Sequence, residues 1–299
     1  VMPASPPSPP LPMLLLLLLL QLSVHAMAMA ATFPTSPKAV ATKISQAVQV
    51  SLQDRKQRLQ ISTPQALCFG IGGKQTGLQI LGDPNASPGS GVRQRADREL
   101  AYLVLEMFQA YKDATVCVMK DAKAAKLARK EWAKLPLTPA DVRADVPTSK
   151  SRGVGFGSSG LSGAPKVVIV SRPSVQTVAS LEPLSEELGT EAVIVLLNPE
   201  MKEPGEAAPG YECIYCLEEN PHPDWAGGLI HYAYGEQWLL GTSNKKGEPV
   251  VHGRSPTRPT LDDIALGFER IETDTNWFSG KGAAAALRRR GVAAEPASV

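Results

Sequence analysis

Four cysteines in 299 residues, Cys68, Cys117, Cys213 and Cys216, are too few for a disulfide framework in a chain of this size. Charge of one sign is also missing: 31 basic residues stand against 29 acidic ones, so nothing sequence-wide points to nucleic acid as a partner. There is no nucleophile elbow G-x-S-x-G, no H-E-x-x-H, and no shared spacing among His25, His222, His231 and His252. These absences leave no complete catalytic or cofactor motif, and no cofactor is expected. A membrane span needs roughly 20 apolar residues. The single long apolar run, Leu11 to Leu22, is interrupted by Pro12 and Gln21.

That run contains seven consecutive leucines, Leu14 to Leu20, and is followed by Ala26-Met27-Ala28-Met29-Ala30-Ala31. A short apolar core before an A-x-A site reads as a removable targeting signal. Residues 1–31 are therefore set apart from the fold, and no transmembrane helix is expected in the mature chain. About 270 residues remain, enough for one α/β domain with an ordinary core.

Ser36-Pro37 pairs a helix cap with proline at the first helical position, and Val40, Ile44, Ala47, Val48 and Ser51 follow at helical spacing. A helix is predicted over about 37–54, and a short strand over 58–62. Residues 70–91 are rich in Gly, Pro, Asn and Ser and form a long loop. A second helix spans about 93–111, and Thr115-Val116-Cys117-Val118-Met119 has the continuous apolar character of a strand covered on both sides. The third helix, 121–135, puts Ala125, Ala128, Trp132 and Leu135 on one face and Lys123, Lys126, Lys130 and Lys134 on the other. A linker over 136–165 precedes two buried-type strands, 166–170 and 192–197, with a helix near 175–188 between them. Segments 211–217, 229–234 and 237–243 read as shorter antiparallel strands, and Thr260 caps a last helix. The tail, 273–299, reads as disordered. The expected fold is three-layer α/β: a mostly parallel sheet flanked by helices, forming one domain over 33–272, with a short antiparallel extension in the carboxy-terminal third.

Gly155-Phe156-Gly157-Ser158-Ser159-Gly160 has the letters G-x-G-x-x-G but precedes a strand and opens no helix, so it reads as linker. Gly70-Ile71-Gly72-Gly73-Lys74-Gln75 lacks the hydroxyl residue of a P-loop, which leaves a glycine-rich turn or a backbone anion nest around Lys74. Cys213-Ile214-Tyr215-Cys216, with His222 and His231 downstream, offers the letters of a zinc site. Regular alternation along a strand sends its two sulfurs to opposite faces.

Phe33-Pro34 leading into Pro37, Arg58-Leu59-Gln60-Ile61, Leu196-Leu197-Asn198-Pro199, Tyr211 before a short strand, and Tyr234-Gly235-Glu236-Gln237-Trp238 together resemble a plastid family. It is the plant, algal and cyanobacterial domain of unknown function that includes the low-photosystem-II-accumulation assembly factors. The resemblance covers about residues 33–272. It implies an α/β protein of the plastid stroma or thylakoid surface, acting as a non-enzymatic factor in assembly or maintenance of a photosynthetic complex, photosystem II. The implied partners are photosystem subunits or the thylakoid membrane, with the lysine face as the docking surface. Ala30-Ala31-Thr32-Phe33 looks like the junction between a signal and a plastid transit sequence, with secretion as the alternative destination. The alternative function is a nucleotide- or sugar-phosphate-binding enzyme whose crevice, at the carboxyl ends of the parallel strands, would include Lys74 and Asn198.

Overall fold

The Ser36 hydroxyl accepts a hydrogen bond from the Ala39 amide, and Pro37 begins helix α1 (Pro37–Gln53). Its buried face is Val40, Ile44, Ala47, Val48 and Ser51, the stripe the sequence predicts. The computed structural model describes residues 32–73, 90–147, 164–201, 206–219, 228–243, 249–260 and 262–264, with the fold unit starting at Phe33. Residues 1–31, expected to be a targeting signal, most of the 70–91 loop with Lys74, the glycines at 155–160, His222 and residues 273–299 lie outside the described residues.

Strand β1 (Arg58–Ser62) follows α1, then helix α2 (Ser90–Met107), strand β2 (Thr115–Val118) and helix α3 (Ala122–Trp132). The second helix ends earlier than its periodicity suggests: a 3₁₀ segment, Gln109–Ala114, takes over after Phe108. Strand β3 (Asp141–Arg143) lies inside the stretch expected to be linker; only Val142 of it is buried, so it carries almost no apolar signal. Strand β4 (Val167–Ser171), helix α4 (Val175–Leu188) and strand β5 (Val193–Leu197) form the expected strand–helix–strand unit, with Pro183 inside the helix. Strands β6 (Glu212–Glu219), β7 (Gly228–Ala233), β8 (Trp238–Ser243) and β9 (Pro249–Ser255) follow. The reciprocal Thr260–Asp263 capping pair starts the last helical turn, where Ile264 is 1% exposed.

The nine strands among the described residues belong to one sheet in the order β3-β2-β4-β5-β1-β6-β7-β8-β9. Pairings from β3 through β6 are parallel, and those from β6 to β9 are antiparallel. This is the expected three-layer α/β architecture. Valines and isoleucines alternate between its two faces. Val116, Val118, Val168, Val170, Ile194 and Leu196 pack on Val178, Leu181, Leu184 and Leu188 of α4. Their neighbours Cys117, Ile169 and Val195 are fully buried on the opposite face, where α1, α2 and α3 lie.

Two polar residues fix the centre of the sheet. Arg58 donates to the Ser185 and Ala192 carbonyls, closing the carboxyl end of α4. The Gln60 amide, 1% exposed, donates to the Glu206 carbonyl at 2.8 Å and accepts from the Ala208 amide at 2.8 Å, tying residues 206–208 against β1.

Candidate functional site

Chain direction creates a crevice between β2 and β4. These strands are neighbours, yet β2 passes the chain to α3 on one face of the sheet while β4 passes it to α4 on the other. The carboxyl ends of the two strands therefore face an opening that neither connection covers, the usual place for a ligand in an open α/β sheet. A cavity of about 230 Å³ lies there. Its walls include Lys120 and Asp121 after β2, Ser171 and Arg172 at the end of β4, and Arg93 and Asp97 from α2.

The geometry around Arg172 is unusual. Its amide still donates to the Leu197 carbonyl, extending the ladder by one residue, and its φ is then 50°. Asn198 repeats the device one strand over: its amide donates to the Ile61 carbonyl and its φ is 48°. A left-handed arginine costs about 1–2 kcal/mol, whereas asparagine tolerates the conformation better. Strain of this kind collects where a side chain must be aimed.

Asn198 stands behind the cavity wall. Its side-chain oxygen accepts from the Thr63 amide at 2.7 Å, and its Nδ2 donates to Asp97 Oδ1 at 3.5 Å. Asn198 thus joins the ends of β1 and β5 and holds Asp97, which does face the cavity. The Asp97 carboxyl titrates above the usual aspartate range because burial disfavours its charge, a shift opposed by Arg172 and by the Asn198 bond. Arg172 lies 3.8 Å from Asp97 and 3.3 Å from Glu200, and Lys120 lies 2.6 Å from Glu200. Lys120 and Arg172 hold Glu200 below the usual carboxylate range, against the effect of burial.

Two guanidinium groups of the cavity wall remain incompletely satisfied, as does that of Arg143 on β3, outside it. Arg93 Nε and Arg172 Nε are buried and have no hydrogen-bond partner. Sequence reasoning did not select Arg93, Asp97, Lys120 or Arg172. They sit on three separate segments with no common spacing, so only the strand order brings them together.

The start of the glycine-rich stretch is anchored by Glu99 of α2, far away in sequence. Its carboxylate accepts from the Phe69 amide at 2.6 Å and the Gly70 amide at 2.8 Å, and Arg95 donates to its other oxygen. Gly70, Gly72 and Gly73 all have φ near +75°, a run that favours glycine.

The lysines of the docking face are where periodicity puts them. Lys123, Lys126 and Lys130 on α3, and Lys134 just beyond it, are exposed, while Ala125, Ala128 and Trp132 are buried beneath. Asp121 caps this helix, its carboxylate accepting from the Ala124 amide at 2.7 Å. The separation of Cys213 and Cys216 expected from alternation does not occur. A shift in the β1–β6 register, between Gln60 and Ile61, puts both in one buried cluster. Among the described residues no group of three or more His, Cys, Asp or Glu is arranged to hold a metal ion, and no helix is long and apolar enough to cross a membrane.

The profile of the domain of unknown function (DUF1995) matches residues 34–266, and the chain belongs to that family. Neither a curated protein nor a solved structure matches it.

Proposed function

We propose that this domain binds a small phosphate-bearing metabolite in the crevice between the carboxyl ends of β2 and β4. One observation carries the reading: two guanidinium groups, Arg93 and Arg172, surround one cavity with Lys120 and keep buried Nε–H donors without acceptors. An unfilled buried donor is costly, and phosphate oxygens fill arginine donors better than any neutral group does. Ligand cavities typically measure roughly 300–1,000 Å³. At about 230 Å³ this one favours a sugar-phosphate-sized ligand over a dinucleotide. Asp97, with its raised carboxyl, would repel the anion least when protonated.

Calorimetric titration with inorganic phosphate and with glycerol 3-phosphate tests the reading. The expected result is saturable binding, weakened about tenfold in Arg172→Met and in Arg93→Met, each losing one charge-assisted contact. Asp97→Asn should bind more tightly than the native chain at neutral pH and lose the strengthening seen on acidification. Asn198→Ala and Lys74→Ala extend the test to the turn behind Asp97 and to the glycine loop. The absence of heat and of thermal stabilisation across phosphates, sugar phosphates and nucleotides would reject it.

The exposed lysines favour a second reading, a plastid factor docking on an acidic thylakoid or photosystem surface during assembly or maintenance of photosystem II. Three cations aligned on a helix whose other face is fixed in the core, with Lys134 just past its end, form a basic strip. Vesicles rich in anionic thylakoid lipid should recover about tenfold less of a chain with Lys123, Lys126, Lys130 and Lys134 changed to glutamine. Equal recovery, or a secreted rather than plastid-borne protein in cells, would remove this reading and leave the crevice untouched.

A further inference from the structure

Residues three apart on a regular strand point to opposite faces. Cys213 and Cys216 do not. In the β1–β6 ladder Gln60 opposes Cys213 and Ile61 opposes Tyr215, leaving Ile214 as an extra residue. That β-bulge restores Cys216 to the face of Cys213. Both thiols then enter one buried cluster with Ile230, Trp238 and Ile264, flanked by Tyr232 and Leu240. The two side chains are in hydrogen-bonding contact, and Cys213 Sγ also donates to the Tyr215 carbonyl at 3.7 Å. Tyr215, on the other face, packs edge-on to His231. Bulges are retained where they re-aim a side chain, and here the re-aiming has one visible product, a pair of adjacent thiols.

We propose that Cys213 and Cys216 are a redox pair that closes reversibly to an intramolecular disulfide. Cys213, 8% exposed, is the sulfur an oxidant reaches first, and fully buried Cys216 is the resolving thiol. With glutathione disulfide as oxidant, the Cys213 thiolate attacks one sulfur, the glutathione S–S bond breaks, and one glutathione leaves as thiolate. Cys216 then attacks the Cys213 sulfur of the mixed disulfide and releases the second glutathione. The protein's two thiols are oxidised, the glutathione disulfide is reduced, and the two thiol protons end on the two glutathiones. A dithiol reductant reverses both steps.

Closure draws the sulfurs to about 2.05 Å, inside the cluster that Ile264 joins. That residue belongs to the turn fixed by Thr260 and Asp263, so oxidation repacks the cluster in which that turn is seated. The device does not depend on the crevice.

The test equilibrates the full chain with glutathione disulfide, quenches in acid, alkylates the free thiols under denaturing conditions and maps peptides by mass spectrometry. The expected product is a peptide holding Cys213 and Cys216, unalkylated and about 2 Da lighter than its dithiol form, with Cys68 and Cys117 alkylated. Dithiothreitol should restore alkylation at both positions. Cys216→Ser should stop at a glutathione adduct on Cys213, and Ile264→Ala should speed closure by loosening the packing around the pair. Full alkylation of both native cysteines, or a glutathione adduct persisting on Cys213 while Cys216 stays free, overturns the proposal.

Discussion

Changing Gly241 to valine is expected to cost about 3 kcal/mol or more, the upper range for forcing atoms into a filled core. A Cβ at this position would run into the Val250 carbonyl oxygen of β9, and would lie 2.5 Å from Phe33 Cε2 and 2.9 Å from Phe33 Cζ. The neighbouring chain cannot move aside cheaply. Gly241 marks the register shift between β8 and β9, and β9 pairs with β8 before and after it, so the obstructing carbonyl cannot withdraw without breaking that ladder. Phe33 is 5% exposed, with its ring 5.7 Å from His231. Valine must therefore expel the ring that anchors the start of the domain or part β8 from β9. Urea unfolding should show a lower midpoint with an unchanged slope. Adding Phe33→Ala should recover part of the loss, because it removes one of the two obstructions and leaves the backbone one. A Gly241→Val chain within about 0.5 kcal/mol of native, the range of a neutral surface change, would mean that neither Phe33 nor the Val250 carbonyl lies against Gly241.

Phe33 shows how far the sequence could be read. Its position after Ala30-Ala31-Thr32 suggests a processing junction, but nothing in its neighbours reveals that glycine 208 positions later leaves room for its ring. Elements that bury continuous apolar runs, β2, β4 and β5, were legible because every side chain of such a strand meets a helix layer. Helix α1 was legible from its cap. Strands β3 and β9 were not. The first contributes one buried valine, and the second begins at Pro249 and alternates only between half-buried and exposed positions, as sheet edges do. The antiparallel strands β6 to β8 were found to within two residues, while the bulge at Ile214 has no local signature.

In the candidate site only a supporting residue, behind the cavity wall, stood out in the sequence, and the wall residues were opaque. Asn198 stood out because it ends a buried strand before proline, and it does hold Asp97. Arg172 did not stand out, since a left-handed arginine looks like any other arginine in a sequence. Arg93, Lys120 and Arg172 converge only because β2 and β4 are neighbours whose connections leave by opposite faces. Topology of that kind is a property of pairing and cannot be read from spacing.

His231 gives the second large effect, and it appears on acidification. The side chain is fully buried between Phe33 and Tyr215, with Nδ1 2.9 Å from the Cys216 carbonyl and Nε2 buried without a partner. A carbonyl can only accept, so Nδ1 carries the proton and Nε2 presents its lone pair to a site that offers it nothing. Burial pushes the imidazole down to about 4; the Cys216 bond opposes that shift and the Lys43 ammonium adds to it. Above the unfolded value of about 6.5 both states are neutral, and His231 makes stability independent of pH. Below it the unfolded chain takes up the proton first, so the folded state loses ground until pH falls through about 4. A difference of roughly 2.5 units corresponds to about 3 kcal/mol. The raised Asp97 carboxyl acts with the opposite sign, its contribution being lost as pH rises, and together with the other carboxylates it is common to native and variant chains. The comparison with His231→Phe therefore isolates the imidazole. At neutral pH the variant should be the weaker by about 1 kcal/mol, because the Cys216 carbonyl loses its donor. Near pH 4 the order should reverse, and urea unfolding of the two chains across this range should give stability curves that cross. Parallel curves would show that His231 takes up its proton as readily folded as unfolded, and would place water or an unrecognised acceptor against Nε2.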